Sequence, residues 1–412
     1  MPVYLSNAGI RKGETILIRR CPLEPDHEVI EKKGRGHPDS IADSLASNIS
    51  RAYSSYTIKH CGGKILHHQI DKLMVIGGKS DVTWGKGRSV APIKIIVAGR
   101  ASKSYLHKKV PVDRIVEKEI RKFFSTNFPI LNYKKDIEVQ LELTDYAGPG
   151  TIKQSTGAIA NMFNPVNKSE IRGYEKLVSN DTSFCVAYAP YSRLESTVIK
   201  LENALNGTKT KKKFPWLGSD IKIMAVRNRN RIDITSCIPQ IARFVNSLES
   251  YKNNLKKISK FMIHILTEYY PKNQINLSLN TKDDFDKMNV YLTATGSSLS
   301  GDIGVVGRGN RINGLITSQR PMSLEGVSGK NPKYYSGFVY SMLAKNIANH
   351  LYRATKRPCE VEIVSQNGGP LLDPWKVIVT SDYPKQTKLR KIIDKELSKI
   401  PDITRNFVHG KN

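Results

Sequence analysis

Gly34-Arg-Gly-His-Pro-Asp-Ser-Ile-Ala-Asp43 is the stretch on which the reading of this 412-residue chain turns. Pro38 suits the first turn of a helix, where a missing N–H costs nothing. From there Ile41, Leu45, Ile49 and Tyr53 recur at intervals of four, which predicts a helix over 39–59 with one apolar face. His37 and Asp39 then stand at its N-terminal mouth, where unpaired backbone N–H groups and the helix dipole favour phosphate. A histidine so placed can hydrogen-bond a developing oxyanion, and a carboxylate can hold Mg²⁺ on phosphate oxygens. The plainer alternative is a capped helix with a buried histidine.

Further along, the pattern predicts strands at 73–76, 93–98, 137–143, 183–189, 221–226 and 231–238, and a helix at 112–124. A long, interrupted helix is predicted over 238–269, then strands at 275–279 and 290–295. A helix near 337–352, two strands and a terminal helix near 387–400 complete the series. This alternation gives an α+β class, with layered sheets and helices rather than a doubly wound sheet. The chain is too long for one compact core, yet no repeat or low-complexity linker marks a boundary.

The composition carries 65 Lys plus Arg against 37 Asp plus Glu, a formal net charge of +28. Such a field favours polyanions, although a Lys-rich surface from composition bias explains it as well. The densest basic run, 209–213, reads as a solvated loop, and no helix-turn-helix or RNA-stacking signature accompanies it, which argues against a nucleic-acid partner. The five cysteines are scattered and never spaced as CxxC, so free thiols in a reducing cytoplasm are expected, without disulfides or a zinc site. No apolar run is long enough to span a membrane, and the N-terminus lacks the pattern of a signal peptide.

Two further segments carry chemistry. Gly301-Asp-Ile-Gly-Val-Val-Gly-Arg-Gly-Asn-Arg-Ile-Asn-Gly314 packs five glycines, two arginines and an aspartate into fourteen residues, a backbone able to approach an anion closely. It is neither a GxGxxG fingerprint nor a P-loop. Arg320-Pro-Met-Ser-Leu-Glu-Gly-Val-Ser-Gly-Lys-Asn-Pro332 offers Lys330 as a mobile point charge. With His37, Asp39, Asp302, Arg308 and Arg311, these residues describe a polyphosphate–Mg²⁺ site without a Walker fold.

In this order, KGxGHPDSIAD, NDTSFxVxYAP, GDxGxVGRGNRxNGLIT and RPMSxExxSGKNP resemble the archaeal-type S-adenosylmethionine synthetases (methionine adenosyltransferases), from about Glu28 to the last helix. The resemblance implies three α/β domains around a pseudo-threefold axis, and homodimers paired sheet to sheet with active sites between subunits. It also implies ATP and methionine as substrates, Mg²⁺ and K⁺ as cofactors, and release of phosphate and diphosphate. By the motif match His37 would stabilise the oxygen leaving C5′ and Asp39 would hold Mg²⁺. Lys222, Arg308 and Lys330 would grip the triphosphate, with Arg311 beside them. Asp181 would take the methionine ammonium, Asp302 would help position methionine, and Asp220 would belong to a nucleotide-binding strand. Gly148, Pro149, Gly150, Thr151, Ile152 and Lys153 fall where the family has a glycine-rich nucleotide loop.

The chain departs from the family pattern at several places. After SGKNP the family usually continues Val-Asn-His-Val-Gly-Lys, where this chain has Lys333-Tyr-Tyr-Ser-Gly-Phe338. Ile303 stands in place of a second aspartate, Lys153 in place of an acidic residue, and Lys79 where a histidine or acid is usual. His67, His68 and Asp71 match a family segment and read as part of a strand rather than a metal site. The competing readings are an adenosyltransferase with an altered sulfur substrate and an inactive homologue that binds polyanions.

Overall fold

The computed structural model describes residues 16–19, 26–146, 162–167 and 177–411. The first part of the chain forms β1 (Ile16–Arg19), β2 (His27–Lys32), α1 (Pro38–His60), β3 (His68–Ile76), a β4–β5 hairpin (Lys79–Thr83, Lys86–Ala91) and β6 (Ile93–Ala101). A small β7–β8 hairpin (Ser104–Tyr105, Lys108–Lys109) leads to α2 (Val112–Asn127), α3 (Tyr133–Asp136) and β9 (Ile137–Thr144). Then come β10 (Phe184–Ala189), α4 (Arg193–Leu205), α5 (Thr208–Lys213), β11 (Lys222–Asn228), β12 (Arg231–Cys237), β13 (Gln240–Ile241) and α6 (Leu248–Leu266). The last part holds β14 (Ile275–Leu279), β15 (Leu292–Thr293), β16 (Ile303–Val305), β17 (Ile316–Thr317), α7 (Ser336–Thr355), β18 (Cys359–Val364), β19 (Lys376–Ser381), α8 (Gln386–Leu397) and α9 (Ile400–Val408).

Three sheets of four or five strands organise these elements, in the orders β16-β3-β6-β9, β14-β12-β11-β2-β17 and β1-β19-β18-β10. Each backs onto its own apolar core. Ile41, Leu45, Ile49 and Tyr53 of α1 pack on Leu73, Val75, Ile95 and Val97 of the first sheet. Leu194 and Val198 of α4 and Tyr251 and Ile258 of α6 cover Ile223 and Ile232 of the second. Val339, Leu343 and Ile347 of α7, with Leu389 and Ile393 of α8, cover Val361 and Val379 of the third. The architecture is α+β, as the alternating pattern implied. Strands distant in the chain share sheets: β16 joins β3, and β2 sits between β11 and β17.

Local chemistry sets the helix that positions the site. Pro38 occupies the first turn of α1, the His37 ring caps it by accepting from the Asp39 N–H at 3.2 Å, and the helix ends where the Cys61 N–H reaches Thr57 O. Gly62 and Gly63 follow at φ of 62° and 77°, a left-handed exit that suits glycine.

The structure corrects four expectations. The basic run 209–213 is no solvated loop. It forms most of α5, with Lys211 turned inward so that its ammonium donates to Leu217 O at 3.2 Å and Gly218 O at 2.5 Å. The helix expected over 238–269 starts only at Leu248, because β13 and a 3₁₀ turn at Ala242–Phe244 precede it. The strand expected at 290–295 contracts to Leu292–Thr293, the only part paired with β13. The terminal helix is two, α8 and α9, with Pro401 in the first turn of the second.

Candidate active site

Candidate functional side chains gather at the two ends of α1. At its N-terminus the Gly34–Gly36 turn is pressed against the chain before β11: the Gly36 N–H donates to Ser219 O at 3.0 Å. A Cβ on Gly36 would lie 2.2 Å from Ser219 Oγ, and one on Gly34 2.5 Å from Ile221 O, so both positions require glycine. Asp39 is buried and doubly occupied, its Oδ1 accepting from the Val305 N–H and its Oδ2 from the Lys33 ammonium, each at 2.9 Å. Burial alone would raise its pKa, but the Val305 N–H and Lys33 outweigh that and hold the carboxyl below its usual value. One helical turn later Asp43 accepts from the Gly307 N–H at 2.8 Å. Burial raises its pKa against the pull of that N–H and Arg311.

The glycine-rich segment is thus clamped to α1 by two carboxylates. Gly304 allows this approach, since a Cβ there would fall 2.1 Å from the Pro38 carbonyl. Arg308 is exposed, with its carbonyl accepting from Lys33 at 2.6 Å, whereas Arg311 turns back to Gly307 O at 2.8 Å. Asp220 is buried and accepts from Tyr291 OH at 3.1 Å and from the N–H and hydroxyl of Ser298 at 3.0 and 2.6 Å. Burial pushes its carboxyl pKa up. The same Ser298 hydroxyl lies 3.2 Å from Oδ2 of the exposed Asp302. Lys222 pairs with Glu31 across the sheet at 3.2 Å. The N-terminal end therefore brings together His37, Asp39, Asp220, Asp302, Arg308 and Arg311. It adds Lys33 and Ser298, which the sequence does not single out; Lys33 heads the GRGHPD motif, and that adjacency was the available signal.

The other end of α1 is built from the Arg320–Pro332 segment. Ser50 lies twelve residues beyond Pro38, about 18 Å along the helix. Its hydroxyl donates to Lys330 O at 3.0 Å and lies 2.8 Å from His68 Nε2. The Lys330 ammonium lies 2.5 Å from Glu325 Oε2, a partner the sequence does not point to. His68 spends its second nitrogen on Leu66 O, and His67 meets Tyr334 OH at 2.5 Å. Burial lowers His67 to about 3 and His68 to about 4, which favours the neutral form of both rings. Asp181 is exposed, its carboxylate accepting from the Thr182 N–H, while neighbouring Asn180 accepts from Ser336 N at 2.9 Å at the start of α7. Gly148, Pro149, Gly150, Thr151, Ile152 and Lys153 lie outside the described residues.

The sequence description of the S-adenosylmethionine synthetase (AdoMet synthetase) family matches residues 17–411. This chain belongs to the S-adenosylmethionine synthetase family. It is 36% identical to the S-adenosylmethionine synthase of Thermoplasma acidophilum, over 93% of this chain and 94% of the relative. The synthases of Natronomonas pharaonis and Methanocaldococcus jannaschii are each 34% identical, with 96% of this chain covered and 96% and 98% of theirs. The solved structure of an unusual S-adenosylmethionine synthetase from Campylobacter jejuni shares the fold at a TM-score of 0.56 and 13% identity. That match covers 92% of this chain and 88% of the other.

Against the family pattern, Ile303 is half exposed beside Asp302 and pairs with Ile76, and Lys79 is exposed at the start of β4. Tyr335 is buried with its ring 5.9 Å from the Lys330 ammonium. Among the described residues no group of three or more His, Cys, Asp or Glu side chains converges as a metal cage. Asp39 still fits a magnesium ion that arrives on phosphate, because such ions take one or two carboxylates and complete their shell with phosphate and water oxygens. Lys33 already marks Oδ2 as a place for positive charge.

No helix among the described residues is long and apolar enough to cross a membrane.

Proposed function

We propose that this chain joins the sulfur of methionine to C5′ of ATP, and that water then cleaves the released triphosphate to phosphate and diphosphate. The sulfur lone pair forms the new C–S bond as the C5′–O bond breaks, and the electrons of that bond leave with the triphosphate. A thioether has no proton to lose, so no general base is needed. Positioning and neutralisation of the leaving group carry the rate.

The observation that carries this reading is the His37 cap. Because Nδ1 accepts the Asp39 N–H, a neutral ring keeps its proton on Nε2. His37 is then a fixed donor at the mouth of a 23-residue helix, suited to the oxygen leaving C5′. Arg308, Lys222 and Lys330 would hold the triphosphate, with Arg311 bracing the loop that carries Arg308. Magnesium, when bound at Asp39, would supply neutralisation of the phosphate oxygens. Potassium is assigned no residue. Asp302 and Asp181 would orient methionine, and Asp220 would act through Ser298 by holding the segment before Asp302. The nucleotide loop at Gly148–Lys153 stays part of the proposal.

The two charged ends of α1 are about 18 Å apart within one chain, so the reading includes a homodimer in which one copy's Lys330 end meets its partner's His37 end. The outer face of the first sheet supports this: Met74, Ile76, Ile96 and Ala98 are only part-buried there, and Ile303 is 51% exposed. A cytoplasmic location belongs to the same proposal. The four described cysteines, Cys61, Cys185, Cys237 and Cys359, are free thiols.

The test is to incubate the chain with ATP, methionine, Mg²⁺ and K⁺ and to follow S-adenosylmethionine and phosphate separately. Formation of both is expected. Absence of both, with ATP still bound, would end this reading in favour of an altered sulfur substrate or a non-catalytic role.

A further inference from the structure

The Lys330 ammonium does not stand alone at its end of the site. It lies 2.5 Å from Glu325 Oε2, with only 11% of the lysine side chain and 23% of the glutamate side chain exposed. The pair occupies the N-terminal mouth of the 20-residue α7. A Cβ added at Gly337, in the first turn of that helix, would fall 2.2 Å from Glu325 Oε2 and 2.7 Å from Lys330 Nζ. Glycine at 337 is therefore the condition for the pair to sit there. The buried Tyr335 ring lines another side of the ammonium at 5.9 Å. A lysine ammonium on a four-carbon stem otherwise samples many rotamers. Here a carboxylate, an aromatic ring and the backbone at a glycine leave it one place.

We infer that Glu325 is a positioning residue for Lys330, fixing the ammonium before the triphosphate arrives. The inference rests on the reading of Lys330 as a triphosphate-binding group. It has a signature that a merely structural role lacks. A carboxylate beside the lysine repels incoming phosphate, so Glu325 cannot improve ground-state affinity for polyphosphate. Its benefit is confined to the transition state, where placement of the charge counts, and shows in kcat.

The experiment compares full-length wild type, Glu325→Gln, Lys330→Ala and the double variant. It measures turnover of ATP and methionine, binding of inorganic tripolyphosphate by calorimetry, and Tm. Glutamine keeps the shape of the side chain and removes its charge. The expected result for Glu325→Gln is a kcat about ten- to a hundredfold lower, tripolyphosphate bound at least as tightly, and an unchanged Tm. In the Lys330→Ala background the second substitution should cost nothing further, because its only route to the reaction is gone. Wild-type turnover by Glu325→Gln, or an equal loss in both backgrounds, overturns the inference while leaving Lys330 its role. Wild-type turnover by Lys330→Ala removes that role and the inference with it.

Discussion

The two ends of α1 hold their charges in different ways. At the Pro38 end backbone partners dominate around α1: Asp39 and Asp43 take the N–H groups of Val305 and Gly307, and His37 takes that of Asp39, with the Lys33 ammonium as a side-chain partner on Asp39. Glycines at 34, 36 and 304 let main chains meet at distances no side chain would permit. At the Ser50 end the partners are mostly side chains, Lys330 with Glu325 and His67 with Tyr334. A backbone clamp survives substitution of its neighbours, whereas a side-chain pair is redrawn by a single replacement. The tyrosines at 334 and 335, which depart from the family pattern, fall in the second region. On the proposed function the first would act as a preorganised cradle for a leaving group, and the second as a grip on a phosphate tail placed by side chains.

If both ends serve one reaction across two copies, the contrast can be broken by mixing. His37→Ala would remove the proposed donor to the leaving oxygen and should lower turnover about 10²- to 10³-fold, and Lys330→Ala should also be strongly impaired. Unfolded and reassembled together in equal amounts, the two should form half mixed dimers, each with one intact site, and regain about a quarter of wild-type turnover. S-adenosylmethionine formation after co-refolding is the measurement. Recovery to no more than the sum of the two parents would place both ends in a single chain's site, and the dimer reading would fall.

The difference between the ends also explains what the sequence made legible. α1 could be read because Pro38 and the Ile41, Leu45, Ile49 and Tyr53 stripe are local signals, and its observed limits, Pro38–His60, differ by one residue at each end from those expected. The glycine-rich segment was recognisable as a close approach of backbone to something. That this something includes Asp39 and Asp43 was not, because residues some 260 positions apart leave no mark in a single sequence. Glu325 was hidden inside a motif read for its lysine. Lys211 was misjudged for a physical reason: in a run of four basic residues nothing distinguishes the one whose ammonium meets buried carbonyls. The short strands β13, β15 and β17 exist by pairing alone, with too few residues to show a period.

The backbone clamp can be sharpened at two glycines of the same segment. Gly304→Ala would drive a methyl group into the Pro38 carbonyl at 2.1 Å. Overpacking of this kind should cost about 1–3 kcal/mol and lower turnover by displacing Val305 from Asp39. Gly314 has open space around its Cβ position and a φ of 82°, so alanine there meets only the left-handed backbone penalty, about 1 kcal/mol. Urea unfolding of both variants separates close approach from conformation. Equal losses would mean that the Pro38 contact is not tight in solution.

A last effect, read as a change with pH rather than as a fixed loss, lies beneath the same cradle. Lys211 donates to Gly218 O, next to the Ser219 carbonyl that receives the Gly36 N–H. Burial lowers its pKa from 10.5 to about 7, against the attraction of Glu202 and with the repulsion of Arg35. The folded value lies below the unfolded one, so between these limits the unfolded chain binds more protons and wild-type stability rises with pH. Below about 7 both states are protonated, and the full cost of burying the charge is present. Lys211→Met removes that titration. The Tm of the variant minus that of the wild type should therefore be most favourable to the variant near pH 7 and fall steadily toward pH 10, whatever constant loss comes from the undonated carbonyls. A difference that does not change with pH would mean that Lys211 titrates alike in the folded and unfolded chain. The floor of the His37 turn would then rest on a lysine that keeps its charge as an exposed one does.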